Sequence, residues 1–130
     1  MYKHSYLITL LFYLTALSAK SEAAPTDLQW VSEEPKPQWI WRANKTDNQP
    51  IYFRKSFEAP TGITSAILYA TCDNGADVYL NGKKVGTAAD WGAPIILKDA
   101  AKHLEAGHTN ALAVKARNRG GLAAFVFKLE

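Results

Sequence analysis

Beyond residue 37 the apolar residues arrive in short runs, broken by turn-forming residues every 8–14 positions. Runs of that length suit strands, and their repetition points to an all-β sandwich or barrel. Residues 38–42 read as a first strand with Trp39 and Trp41 on one side, and residues 50–59 as a second in which Ile51, Phe53 and Phe57 share one parity. Lys55 interrupts that parity and marks a sheet edge or a bulge. Residues 64–72 are apolar on both parities, as in a strand covered on both faces. The sharpest local signal is Asn81-Gly82 between two strand-like arms over 76–85. Asn and Gly tolerate the positive φ angles of a type I′ turn, whose twist matches the flanking strands. Val78 and Leu80 then point one way, and Asp77 and Tyr79 the other.

Residues 94–98 form a short strand, and Asp99 is placed to cap one helical turn over 100–104, ended by Gly107. Over 109–118 Leu112, Val114 and Ala116 face inward while Lys115 and Arg117 face out. Gly120-Gly121 turns the chain, and 122–129 closes a sheet with Phe125, Phe127 and Leu129 on one face. About seven strands and one helical turn make an antiparallel β-sandwich.

The N-terminal end reads differently. Lys3 and His4 precede an apolar run over 6–17 that is short for a membrane span but suits a secretory signal. Ser21 and Ala23 fit the small-x-small rule, which places cleavage after Ala23; an uncleaved anchor is the alternative. Residues 1–23 are thus expected as a signal peptide, 24–36 as an exposed lead-in pinned by Trp30, and 37–130 as the sandwich domain. A secreted or periplasmic location follows, with no membrane contact after cleavage. Loss of Lys3, Lys20 and Glu22 leaves 13 basic against 11 acidic residues, a net charge of +2. So near-neutral a chain has no general electrostatic grip on nucleic acid. Cys72 is the single cysteine, so no internal disulfide staples the fold, and it reads as a small buried hydrophobe.

Little in the chain points to catalysis. His103 and His108 lie five apart beside one Glu, short of the three or four ligands that zinc requires. No G-x-S-x-G elbow is present, and apart from the Gly120-Gly121 pair the glycines are scattered singly rather than gathered into a phosphate loop. Asp73, Asp77 and Asp90 are the central acids, and they read as turn and loop aspartates. The expectation is a non-enzyme with no metal and no cofactor.

Read in order, Phe53-Arg54-Lys55-x-Phe57, Asp73-Asn74 and Val78-Tyr79-Leu80-Asn81-Gly82-Lys83-x-Val85-Gly86 are followed by a second group. That group is Asp90-Trp91, Asp99 with Leu104, Gly107, Asn110-x-Leu112-Ala113-Val114 and Asn118-x-Gly120-Gly121. Over residues 39–129 this pattern resembles the galactose-binding-like jelly-roll domain. It is similar to the non-catalytic sugar-binding domains of β-galactosidase- and α-rhamnosidase-type glycoside hydrolases, and to domains appended to large secreted bacterial proteins. Ala100-Ala101 departs from the Val-Thr pair usual after the aspartate, and the expectation is that no catalytic domain follows Glu130. The resemblance implies a fold and, more loosely, a glycan ligand.

Sugars present C–H patches on one face and hydroxyls at the rim, so their sites combine an exposed aromatic plane with polar forks. Residues 72–75, 89–92 and 117–121 carry that mixture. Gathered at one rim, they make Trp91 the stacking platform and Tyr79 a second stacking surface. Asp73, Asn74, Asp90, Arg117 and Asn118 become hydrogen-bonding partners. Trp39 and Trp41 read as core or edge packing. Lys115, Arg117 and Arg119, at every second position, read as a solvated face or as a ridge for an anionic polysaccharide or a nucleic-acid strand. Two functions stay open: a carbohydrate-binding module, or a structural or protein-interaction domain shortened from a larger secreted protein.

Overall fold

The computed structural model describes residues 28–43 and 48–130. The expected signal peptide and its cleavage site lie outside the described residues. Seven strands form two antiparallel sheets: β1 (Pro50–Glu58), β2 (Leu68–Asp73), β3 (Ala76–Leu80), β4 (Lys83–Ala88), β5 (Ile95–Leu97), β6 (Thr109–Arg117) and β7 (Ala124–Leu129). The larger sheet runs β1-β6-β3-β4 and the smaller β5-β2-β7, so the chain crosses repeatedly between layers. Among the described residues helix is confined to two 3-10 turns, Gln29–Val31 and Ala100–His103. This is the expected all-β sandwich.

The core between the sheets is built from alternate residues. Val78 and Leu80 of β3, Leu112, Val114 and Ala116 of β6, and Leu68, Ala70 and Cys72 of β2 are all buried there. Phe125 of β7 sits at its centre, stacked on Phe53 (5.8 Å) and Phe127 (6.0 Å). Three rings in sequence supply much of the apolar area that a disulfide-free domain needs. Burial pushes the Cys72 thiol up from its ordinary pKa, and hydrogen bonds from the Gly75 and Arg117 backbone only partly oppose this. Cys72 therefore behaves as a core residue.

The β3–β4 hairpin turns at Asn81-Gly82 with φ of 48° and 80°, the type I′ geometry that the dipeptide predicts. Asn81 also reaches out of the turn. Its amide donates to Asn110 Oδ1 (2.7 Å) and the His103 carbonyl (3.0 Å), and its Oδ1 accepts from Ala111 N–H (2.9 Å). The turn residue thereby joins the hairpin to the 3-10 turn and to β6.

Three local expectations need correction, and the edge-or-bulge expectation at Lys55 resolves to an edge. Residues 38–42 contribute one bridge, Ile40 to Phe125, and no strand. With one paired residue there is no pleat to keep Trp39 and Trp41 together. Trp41 packs on Phe53 (5.8 Å), whereas Trp39 lies at the surface. The strand expected from residue 64 starts at Leu68. Lys55 lies on the edge strand β1 in an unbroken register with β6; the bulge is instead at Val78/Tyr79. Asp99 makes no side-chain cap. Its carboxylate binds Lys102 Nζ (2.8 Å), and Leu104 ends the turn well before Gly107.

Candidate functional site

The rim is built at one end of the smaller sheet. Residues 69, 71 and 73 of β2 face away from the core, and Thr71 is fully buried there beneath the loop that follows β4. Its hydroxyl lies 2.7 Å from the carbonyl of Trp91 and 3.3 Å from that of Asp90. Within the loop, Trp91 N–H donates to Asp90 Oδ1, and Ala93 N–H donates to the Asp90 carbonyl (3.1 Å). The Asp90 carbonyl thus closes a β-turn onto Ala93 N–H, and Thr71 ties that turn to the sheet. The indole itself is left outside, with Trp91 53 % exposed.

Trp91 is not alone. Trp39 (45 % exposed) and Leu122 (84 % exposed) line the same shallow hollow, together with Asp73 and Ala124. The hollow measures about 410 Å³. Two indoles and a leucine around one carboxylate form an apolar surface patch of the kind that marks an interaction site.

Asn74 meets Asp73 through a hydrogen bond from its amide to Asp73 Oδ1, while its own Oδ1 accepts Arg119 N–H at 2.7 Å. Asn74 N–H donates to the Arg117 carbonyl (3.0 Å), and Arg117 N–H donates to the Gly75 carbonyl (2.8 Å). These bonds knit the 72–75 turn to the 117–121 turn. Gly75 completes the joint: a Cβ there would stand 3.1 Å from the Ala88 carbonyl oxygen, in a backbone with φ of +157°.

Of the expected site residues, the structure therefore brings Trp91 and Asp73 to one hollow, and Asp90 and Asn74 are hydrogen-bonded to those two neighbours without lining it. Asn118 is fully buried, and its Oδ1 accepts Gly120 N–H (3.1 Å), so it belongs to the frame. Arg117 and Tyr79 do not join the rim. Ala116, Val78 and Leu80 face the core, so strand alternation turns Arg117 and Tyr79 to the outer face of the larger sheet. There Arg117 Nη2 binds Asp77 Oδ2 at 2.7 Å. Trp39 and Leu122 were not picked out by sequence reasoning. Each is a large apolar residue beside a turn or proline segment rather than inside a strand, and that is the signal that marks them.

No family model matches the chain, and no curated protein matches it. Solved structures do. A segment of the Streptomyces avermitilis α-L-rhamnosidase, solved with L-rhamnose, is 28% identical with a TM-score of 0.62, covering 70% of this chain and 10% of that one. The family 78 rhamnosidase of Bacillus sp. GL1 is 24% identical with a TM-score of 0.63, covering 71% and 11%. A family 2 glycosyl hydrolase from Bacteroides cellulosilyticus is 18% identical with a TM-score of 0.50, covering 60% and 12%. The fold is that of one domain within large glycoside hydrolases. This chain spans about a tenth of the length of the two rhamnosidases it matches. The resemblance read from the sequence motifs is met here in three dimensions.

Asp77, the third central acid, is on the outer face of the larger sheet, away from the rim. It is held by Lys84 (2.7 Å), Arg117 (2.7 Å) and the Thr87 hydroxyl (2.8 Å). The Lys84 hydrogen bond, against a partial opposing effect of burial, and then the Thr87 and Arg117 contacts, lower its pKa below the ordinary carboxylate value. Among the described residues no group of three or more His, Cys, Asp or Glu is placed to hold a metal ion.

Proposed function

We propose that this chain is an exported, non-catalytic carbohydrate-binding module that docks on a glycan through the Trp91–Trp39 rim. The observation that carries this reading is the pairing of two exposed indoles with Asp73 in one hollow, on a turn that Thr71 and Asp90 hold in place. The indole planes take the C–H face of a sugar ring. The Asp73 carboxylate and the Asn74 amide beside it take the hydroxyls.

Leu122 and Ala124 give an apolar wall to a substituent such as a C5 methyl group. Together with the L-rhamnose carried by the Streptomyces avermitilis enzyme, this makes L-rhamnose and rhamnose-bearing polysaccharides the first ligands to titrate. A shallow site of this kind is expected to bind single sugars near millimolar Kd, about −4 kcal/mol.

Calorimetric titration of the secreted protein, with a plant and algal polysaccharide array beside it, tests the proposal. Trp91→Ala is expected to abolish binding and Trp39→Ala to weaken it. An array with no hit at millimolar sugar, or a Trp91→Ala protein that binds as before, would overturn it.

A second reading, an interaction domain without sugar affinity, is favoured by the partial match to much larger chains. Recovery of a stoichiometric protein partner from the extracytoplasmic fraction, with a silent array, would support it instead.

A further inference from the structure

The outer face of the larger sheet carries a second polar constellation, whose Arg119 N–H is bonded to Asn74 Oδ1 beside the rim. The strand registers set its layout. Lys115 of β6 lies between Tyr52 of β1 and Asp77 of β3, and Ala113 lies between Arg54 and Tyr79. Ala111 and Ala113 keep the middle of the face low, and Tyr52 stands out beside Lys115, 69 % exposed. At this end of the sheet a hollow of about 380 Å³ is lined by Asn48, Pro50, Lys115, Arg117, Asn118 and Arg119. Among the described residues three cations line it and no carboxylate does.

The nearest acid is already engaged. Asp77 binds Lys84 and Arg117 through its two oxygens and Thr87 through a third contact. That arrangement also orients the Arg117 guanidinium. Lys115 and Arg119 have no ion-pair partner among the described residues. Positive charge gathered in a concave surface, with its one neighbouring acid spent, attracts an anionic group.

We propose that this hollow, with Tyr52 at its edge, binds the acidic group of a polysaccharide, a carboxylate or a sulfate on a sugar ring. Arg117 and Arg119 supply forked donors suited to an oxyanion, and Lys115 supplies a point charge. The Tyr52 ring takes the apolar face of the same sugar. Lys115, Arg117 and Arg119 gather at one end of the face; past Arg54 the register continues through Ser56 and Glu58, whereas a nucleic-acid groove would need positive charge along its whole track. This site is independent of the Trp91 rim.

The test uses the whole secreted protein in about 0.15 M salt, where loose surface attraction is largely screened. It is titrated with oligogalacturonate, with dextran sulfate and with neutral dextran. Binding to one or both polyanions, and none to dextran, is expected. The oligogalacturonate and dextran sulfate arms distinguish carboxylate from sulfate. The pair Lys115→Ala and Arg119→Ala is expected to weaken binding about tenfold or more, since charge-assisted bonds are lost, and Tyr52→Ala to weaken it severalfold.

Arg117 is left in place because it holds Asp77. Trp91→Ala is expected to leave polyanion binding unchanged, which separates this site from the rim. Three results would overturn the proposal. The first is no binding to either polyanion. The second is binding that the Lys115 and Arg119 substitutions do not move. The third is oligothymidylate of matched charge competing equally while Tyr52→Ala has no effect.

Discussion

The two outer faces of the sandwich have opposite characters. On the smaller sheet Thr71 and Val126 are fully buried, Lys128 nearly so, and Tyr69 lies under Trp30, whose ring stacks on it at 5.5 Å. On the larger sheet Tyr52, Arg54 and Arg117 stand in solvent. The difference arises because the lead-in carries Trp30 onto β2 and the 89–93 loop folds over Thr71. The smaller sheet thus has cover on both faces and the larger sheet on one. A strand covered twice selects apolar or small residues at both parities, while one covered once alternates. The face beneath the cover then supports the Trp91 rim, and the bare face is left to display charge.

The sharpest way to break this contrast is to remove the cover. Trp30→Ala should cost about 3–5 kcal/mol, the range for truncating a buried large aromatic, read as a lowered urea midpoint. Its buried indole N–H has no hydrogen-bond partner among the described residues, so packing carries that loss. Tyr52→Ala on the bare face should stay within about 0.5 kcal/mol. Equal losses at the two positions would show that the lead-in is not a structural layer.

The next effect concerns Asp77, the one well-buried acid of the bare face. Asp77→Asn should cost about 1–3 kcal/mol at neutral pH, because its hydrogen-bonded cations lose their charged partner. The folded pKa of Asp77 is lowered, so its contribution is fully present above the unfolded value of about 3.9. It fades as pH falls through the folded value. The stability gap between wild type and Asp77→Asn should therefore close on acidification below about pH 4. A gap that persists in strong acid would mean that the triad acts through packing alone.

The smallest effect on the monomer, though not on its behaviour, should come at Lys55. On β1, Ile51, Phe53 and Phe57 point toward the core side, and Lys55 shares their parity while remaining exposed. It lines the apolar openings between the sheets, beside Leu112 and Phe127. An inward charge on an edge strand discourages pairing with another chain. Lys55→Leu should add about 1 kcal/mol to monomer stability while producing dimers or larger species in sedimentation velocity. A variant that stays monomeric at high concentration would place the protection elsewhere.

Much of this was readable from residue order. Asn81-Gly82 specified its turn because only residues that tolerate positive φ adopt type I′ geometry there. The alternation over 109–118 and the two-sided apolar run ending at Cys72 announced one face covered in the first case and two in the second. The break at Lys55 announced an edge. Asp99 misled because Lys102, three residues on, competes for its carboxylate, and residues 38–42 misled because apolar pairs resemble a strand whether or not a partner pairs with them.

What local chemistry determined, then, was the class of fold, the turns and the composition of the core, since those depend on φ preferences and on side-chain parity over a few residues. Which side chains share a rim was decided only by the tertiary structure. Trp39 and Trp91 are 52 positions apart and meet because one bridge to Phe125 and the Thr71 hydroxyl bring their loops to the same end of the smaller sheet. Arg117 and Tyr79 sit close to those turns in the sequence, yet strand alternation sends them to the opposite side. Position along the chain sets the parity of a residue, but the packing of distant strands sets its neighbours.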